Sequence, residues 1–163
     1  MTINYYNATA RNYNELHGEE QIQKAQIAKQ QINVSEADQL LDVGCGTGIS
    51  TSVFPCYKTG LDPANELLKQ AEFHTINTYA ESIPFEDNSF DIVTSFTAVH
   101  NFYDYEQGLN EIKRVAKDKV IISVLKKANW FERIENLIRK KFELWRVIDN
   151  AQDKIFILSV PQE

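Results

Sequence analysis

Apolar and polar positions alternate along this chain in two rhythms. Short runs that are apolar on both faces, Leu40-Leu41-Asp42-Val43, Phe90–Phe96 (FDIVTSF) and Val120–Leu125 (VIISVL), are separated by stretches with apolar residues every three or four positions. The first kind predicts strands of a covered parallel sheet, the second the helices that cover it. Ile22, Ala25, Ile27, Ala28 and Ile32 make Glu19–Ile32 an amphipathic helix. Leu109, Ile112 and Val115 do the same for Asp104–Ala116, and Ile134, Leu137 and Ile138 for Trp130–Lys141. Tyr57–Leu61 reads as a further strand and Thr75–Tyr79 as a weaker one. A brief helix over Ile49–Phe54 is stopped by Pro55, and another is opened by Asp62-Pro63, where proline suits the first turn.

The alternation breaks near the end. Phe142–Ile148 and Lys154–Val160 are β-rich runs joined by residues 149–153, too short for a crossover, which predicts an antiparallel hairpin. Strand–helix units closing in a hairpin predict an α/β fold, with a mostly parallel sheet between layers of helices. No repeat, low-complexity tract or Pro/Gly/Ser linker divides the 163 residues. One domain is expected: a helical cap over 1–35, a ligand-binding core over 36–125, and a last helix with the hairpin over 126–163.

Composition narrows the function classes. At 43% hydrophobic and 11% aromatic the chain can bury a sizeable core. No apolar run approaches the roughly 20 residues that span a bilayer, and Met1-Thr2-Ile3-Asn4 lacks a secretory pattern, so a cytoplasmic location without membrane attachment is expected. Cys45 and Cys56 are too few for a disulfide framework, and His17 and His74 have no ligand-spaced partners, so no metal is expected. A net charge of −6 argues against unaided binding to a nucleic-acid backbone. That charge is uneven, however: residues 111–146 hold 11 basic against 5 acidic side chains. They are either the solvated faces of two helices or a docking face for an acidic partner or RNA.

Chemistry concentrates after the first strand, in Gly44-Cys45-Gly46-Thr47-Gly48. Ligands of open parallel sheets bind beyond the carboxyl ends of the central strands, and glycines there let backbone approach a ligand closely. The spacing misses the dinucleotide fingerprint, because the third glycine falls at Gly48 and not at position 49, and no lysine follows as a P-loop requires. Asp42, just before the loop, would repel a pyrophosphate and attract a cationic amino group. S-adenosylmethionine (SAM) carries an ammonium, a sulfonium and no phosphate.

Leu40–Gly48 resembles motif I of class I SAM-dependent methyltransferases, in particular the subgroup containing the ubiquinone and menaquinone biosynthesis enzymes. Gly60-Leu61-Asp62-Pro63 is similar to the end of that family's second strand, Ala80–Asp91 to its adenine-side loop and fourth strand, and Glu111–Val115 to its helix before strand five. The likeness covers about residues 38–125. It implies a Rossmann-like three-layer sandwich whose seven-stranded sheet has the order 3-2-1-4-5-7-6. It also implies SAM as cofactor and S-adenosylhomocysteine (SAH) as product, bound by Asp42, Gly44, Cys45, Gly46, Gly48, Asp62 at the ribose, Pro63, Ala80, Glu81 and Phe96. Tyr5-Tyr6-Asn7 with Arg11-Asn12-Tyr13 resembles the segment that closes over SAM, so Tyr13 either bonds the cofactor carboxylate or packs a helix on the sheet. Tyr79 stands where the family often has an acid for the adenine amine, and Lys117-Asp118-Lys119 replaces a Pro-Gly turn.

Methyl transfer from a sulfonium is an in-line displacement with an activated leaving group, so the protein mainly aligns the reactants and excludes water. The candidate base is His100, after the fourth strand, which either takes a proton from the acceptor or only bonds a loop. Tyr103, Tyr105, Trp130 and Phe131 either wall a flat acceptor or belong to the core. The Asn/Asp-Pro-Pro-aromatic signature of adenine and glutamine amino-methyltransferases is absent, with Ser95-Phe96-Thr97-Ala98 in its place. The expected partner is a small-molecule acceptor, or else a small activator subunit, since certain tRNA wobble-uridine methyltransferases of similarly minimal length work with one. A non-catalytic SAM-binding or scaffolding module is the alternative of another class.

Overall fold

The computed structural model describes residues 3–162; Met1, Thr2 and Glu163 lie outside the described residues. The chain opens with α1 (Ile3–Thr9), a 3-10 turn (Ala10–Asn12) and α2 (Tyr13–Lys29). There follow β1 (Gln39–Val43), β2 (Tyr57–Leu61), α3 (Asn65–Leu68), β3 (His74–Ile76), β4 (Phe90–Phe96), α4 (Tyr105–Val115), β5 (Ala116–Leu125), α5 (Phe131–Lys141), β6 (Glu143–Asn150) and β7 (Asp153–Ser159). The seven strands form one sheet in the order β3-β2-β1-β4-β5-β7-β6. Strands β1 to β5 pair in parallel, and β7 enters antiparallel between β5 and β6. This is the predicted topology.

The two faces separate by strand parity. Leu41, Val43, Val93, Val120, Ile122, Phe156 and Leu158 turn to one side, where Leu109, Ile112 and Val115 of α4 and Ile134 and Ile138 of α5 complete a core. Leu40, Ile92, Ile121, Ile155 and Ile157 turn to the other and meet Ala25 and Ala28 of α2 with Phe54. Each fully buried Leu or Ile contributes about 1.5–3 kcal/mol relative to exposure, so these two clusters hold the layers together.

Several elements differ from their predicted extents. α2 starts at Tyr13 and not at Glu19, and it buries Gly18, Gln21, Lys24, Ala25 and Ala28, a small and polar stripe, while Ile22 and Ile27 are only half-buried. The helix expected over 49–54 is a 3-10 turn, Thr51–Val53, and the one opened by Asp62-Pro63 is a single turn, α3. β6 and β7 meet through Ala151-Gln152, so the hairpin is tighter than predicted and Asp153 belongs to β7.

Most cations of the 111–146 stretch have partners within the chain. Arg114 clips the loop after β3 by donating to the Ile83 and Phe85 carbonyls while pairing with Glu111 and Asp87. Lys117 pairs with Asp91, Lys126 with Asp149, Arg139 with Glu135, and Lys141 with Glu106. That stretch is largely the solvated surface of its own elements. Among the described residues no helix is long and apolar enough to cross a membrane, and no group of three or more His, Cys, Asp or Glu is placed to hold a metal ion.

Candidate active site

The sheet opens at its switch point, where β2-β1 on one side and β4-β5 on the other send their connections in opposite directions. A cleft lies there, roofed by α1 and the start of α2. Of the residues named from the sequence, Tyr13, Gly44, Gly46, Asp62, Pro63, Ala80 and Phe96 line it. Ile3, Tyr6, Thr97, Asn101, Phe102 and Tyr103 line it as well, with Ile3 and Tyr6 of the cap packed beside Tyr13 against Ala64 and Leu67.

The glycine loop is built tightly on its neighbours. Gly44 has φ +79°, and a Cβ there would sit 2.5 Å from the Ala98 Cβ, so the loop after β1 and the turn after β4 touch with no room for a side chain. A Cβ on Gly46 would meet nothing closer than Leu67 at 3.6 Å, with Tyr13 at 4.0 Å, so the space it would fill is cleft. The Gly44 and Cys45 N–H groups both donate to the Leu61 carbonyl, at 2.8 and 3.0 Å, and the Gly46 N–H donates to Asp62 Oδ2 at 3.0 Å. A loop whose N–H groups are committed in this way offers no anion nest, in keeping with a ligand that carries no phosphate.

Asp62 joins two loops. Its Oδ1 accepts from the Ala64 N–H at 2.8 Å while Oδ2 holds Gly46, leaving the remaining lone pairs toward the cleft. Burial pushes its carboxyl up from the ordinary value, and the two N–H donors pull it back. Tyr13, raised by burial, keeps its phenolic proton at any physiological pH.

The other named residues lie behind this lining. Asp42 does not reach the cleft: it is wholly buried on the α2 side of the sheet, accepting from Thr51 Oγ1 at 2.5 Å and Thr94 Oγ1 at 3.0 Å. Burial pushes its carboxyl up to about 7, against the two hydroxyl donors. The Cys45 side chain packs toward Gly60 and Gly48 toward the Phe73 ring, so neither lines the cleft. Glu81 accepts from Gln107 Nε2 through its carbonyl and also lies outside the lining. His100 sits in the 3-10 turn Val99–Asn101, outside the lining, with Nδ1 buried and unpartnered. Burial holds its imidazole below the ordinary value, with the Asp153 charge opposing, so it is neutral at pH 7. Of the four proposed wall aromatics Tyr103 alone lines the cleft, 79% exposed and 5.5 Å from the Tyr79 ring, whereas Tyr105 and Phe131 pack on the core.

The Asp42 geometry has a measurable consequence. Between its ordinary value and 7 the folded chain keeps a proton that the unfolded chain releases, so this group's contribution to stability is lost as pH rises through that window. Asp42→Asn, a neutral isostere, is expected to gain on the order of 2 kcal/mol over the parent chain at pH 8 and almost nothing near pH 4. Urea unfolding at the two pH values checks it; an equal gain at both would place the carboxyl in a solvated setting.

The cap is fastened across the cleft. Asn101 Nδ2 donates to the Tyr6 hydroxyl at 3.0 Å, the Glu66 N–H donates to Asn7 Oδ1 at 3.1 Å, and Gln70 Nε2 donates to the Ala10 carbonyl. A second buried assembly under the floor is nearly invisible in the sequence. Lys24 and Asp153, both 0% exposed, pair at 3.1 Å and bond the Thr97 hydroxyl. Only strand parity hints at it, since Asp42, Thr94, Ser123 and Asp153 all fall on the α2 face where apolar residues are the rule.

Residues 41–124 match the family model described as "Methyltransferase domain". The chain belongs to that family. SAM is the family's methyl donor, and the residues present suit it: a carboxylate, Asp62, faces the cleft, and a side chain at Gly46 would fill space in it. An uncharacterized protein, MJ1252, of Methanocaldococcus jannaschii is 29% identical over 93% of this chain and 67% of its own length. The demethylmenaquinone methyltransferase of Chlorobaculum tepidum is 35% identical over 57% of this chain and 42% of its own length. The chain thus spans about two thirds of the first relative and less than half of the second. Among solved structures, the methyltransferase in a complex with the Trm112 methyltransferase activator from Haloferax volcanii superposes with a TM-score of 0.81 at 17% identity, covering 96% of this chain and 98% of that one. At that identity the likeness is one of fold.

Proposed function

We propose that this methyltransferase passes the methyl group of SAM to a small, uncharged acceptor entering between α1 and the segment after β4. The observation that carries this reading is the cleft itself, whose described lining residues include one carboxylate, Asp62, no cationic side chain, and the largely apolar and neutral group Thr97, Asn101, Phe102 and Tyr103 after β4. Asp62 accepts from the ribose hydroxyls, and Tyr13 donates to the amino-acid carboxylate. Gly44 and Gly46 admit the ligand close to backbone, while Pro63, Ala80 and Phe96 wall the rest. Cys45, Gly48 and Glu81 shape the loops from outside, and Asp42 acts through the Thr51–Thr94 layer beneath. His100, behind the lining, shapes the turn that presents Asn101. When bound, SAM supplies an activated methyl group; the chain orients it and keeps water out.

A second reading, that the chain is the catalytic partner of a small activator, is favoured by the near full-length likeness to a methyltransferase that forms such a complex. Calorimetric titration with SAM and SAH tests both. Binding near micromolar by the isolated chain supports the first, and binding that appears only on co-purification with a Trm112-type activator supports the second. No binding by a folded chain in either state overturns both and leaves a scaffolding module.

A further inference from the structure

Thr97 stands at φ +53°, in the left-handed region that β-branched residues rarely enter, and it lines the cleft. Such a conformation persists only where its surroundings over-determine it. Four groups do so here. The Thr97 N–H donates to the Ser123 carbonyl at 3.0 Å and also meets Ser123 Oγ at 2.9 Å. The Thr97 hydroxyl donates to Asp153 Oδ2 at 2.7 Å and accepts from Lys24 Nζ at 2.5 Å. Lys24 comes from the middle of α2 and Asp153 from the first position of β7, and they close the triangle with their own ion pair at 3.1 Å. Glu20, on the same helix as Lys24, lies 3.6 Å from Nζ and reaches solvent.

The residues that follow Thr97 form the acceptor-side wall. Ala98 is the side chain that touches Gly44, and Asn101 holds the Tyr6 hydroxyl of the cap. A rotation at Thr97 would therefore be transmitted to the glycine loop and to the cap latch together. Buried ion pairs contribute little net stability, yet breaking one side costs several kcal/mol, so such a pair under a cleft floor needs a reason other than stability.

We propose that Lys24 and Asp153 are positioning residues of this enzyme, holding Thr97 in its left-handed conformation and thereby setting the turn Ala98–Asn101 against the glycine loop. The inference rests on the cleft being the cofactor site for its binding readout, and on no ligand for its second readout.

The test uses the full chain and SAH as probe. The double variant Lys24→Met/Asp153→Asn removes both charges together and is expected to fold, by circular dichroism, with SAH affinity lowered at least tenfold. Adding Thr97→Gly supplies a residue that adopts positive φ unaided, and it is expected to bring affinity back to within about threefold of the parent. A purely structural pair would give no such rescue. Asp153→Asn alone, the mildest change, is expected to lower affinity at least threefold and decides the matter if the double variant does not fold. Amide exchange at 97–101 should quicken in each charge variant while 92–95 stays protected, and this readout holds even if the parent chain fails to bind SAH. Affinity within twofold of the parent in a folded charge variant, unchanged exchange at 97–101, or a triple variant that stays weak overturns the proposal.

Discussion

Asp62→Ala is expected to lower SAH affinity by at least a hundredfold. The carboxylate ties the loop after β1 to the loop after β2, accepting from Gly46 at 3.0 Å, and braces its own loop by accepting from Ala64 at 2.8 Å. Without it two N–H groups lose their acceptor in a nearly closed site, at about 1–3 kcal/mol each, and on the proposed role of Asp62 the ribose hydroxyls lose theirs as well. Stability should fall by less than that sum, because the variant also removes a charge that burial disfavours. Titration calorimetry and urea unfolding read the two effects separately. Asp62→Asn, with one oxygen left, should recover part of the affinity. If Asp62→Ala binds within threefold of the parent chain, the ribose is not held at this strand end.

Gly44→Val should be the most damaging change to the fold itself. A β-branched residue at φ +79° carries about 1–3 kcal/mol of backbone strain, and its Cβ would begin 2.5 Å from the Ala98 Cβ, so overpacking adds a similar amount. A loss of about 3–5 kcal/mol is expected in urea unfolding, enough to leave much of a marginal domain unfolded. Gly46→Ala makes the contrast. Its Cβ lies 3.6 Å from Leu67 and φ +55° adds only about 1–2 kcal/mol of strain for alanine, so the chain should fold, yet the methyl occupies the cleft and should weaken SAH binding at least tenfold. A Gly44→Val chain as stable as the parent would mean that the β1 and β4 loops are not in contact.

The strands were the most legible part of this chain, because β1, β4 and β5 are covered on both faces and so carry nearly unbroken apolar runs. The C-terminal hairpin was legible for a different reason, the shortness of its connection. The start of α2 was not, because Asn12 caps nothing through its side chain and the helix continues out of a 3-10 turn with no break. Its inner face was also hidden, since Gly18, Gln21 and Lys24 look like solvated positions until the sheet is brought against them.

In the site, the glycine spacing and Asp62 point to the strand ends where the cleft lies. The spacing could not tell that Asp42 faces away from it, which depends on which side of β1 the helix α2 covers. Nor could it pair Lys24 with Asp153, because nothing local to either residue marks the other.

The floor of the cleft is assembled from chain segments far apart, with Thr97 bonded to partners 73 residues before it and 56 residues after it. During synthesis the glycine loop and its strand emerge early, while the carboxylate that completes the floor arrives only with β7. A nascent chain therefore lacks the Asp153 contact to Thr97 and Lys24, and the β7 strand that joins β6 to β5, until the β6–β7 hairpin has left the ribosome.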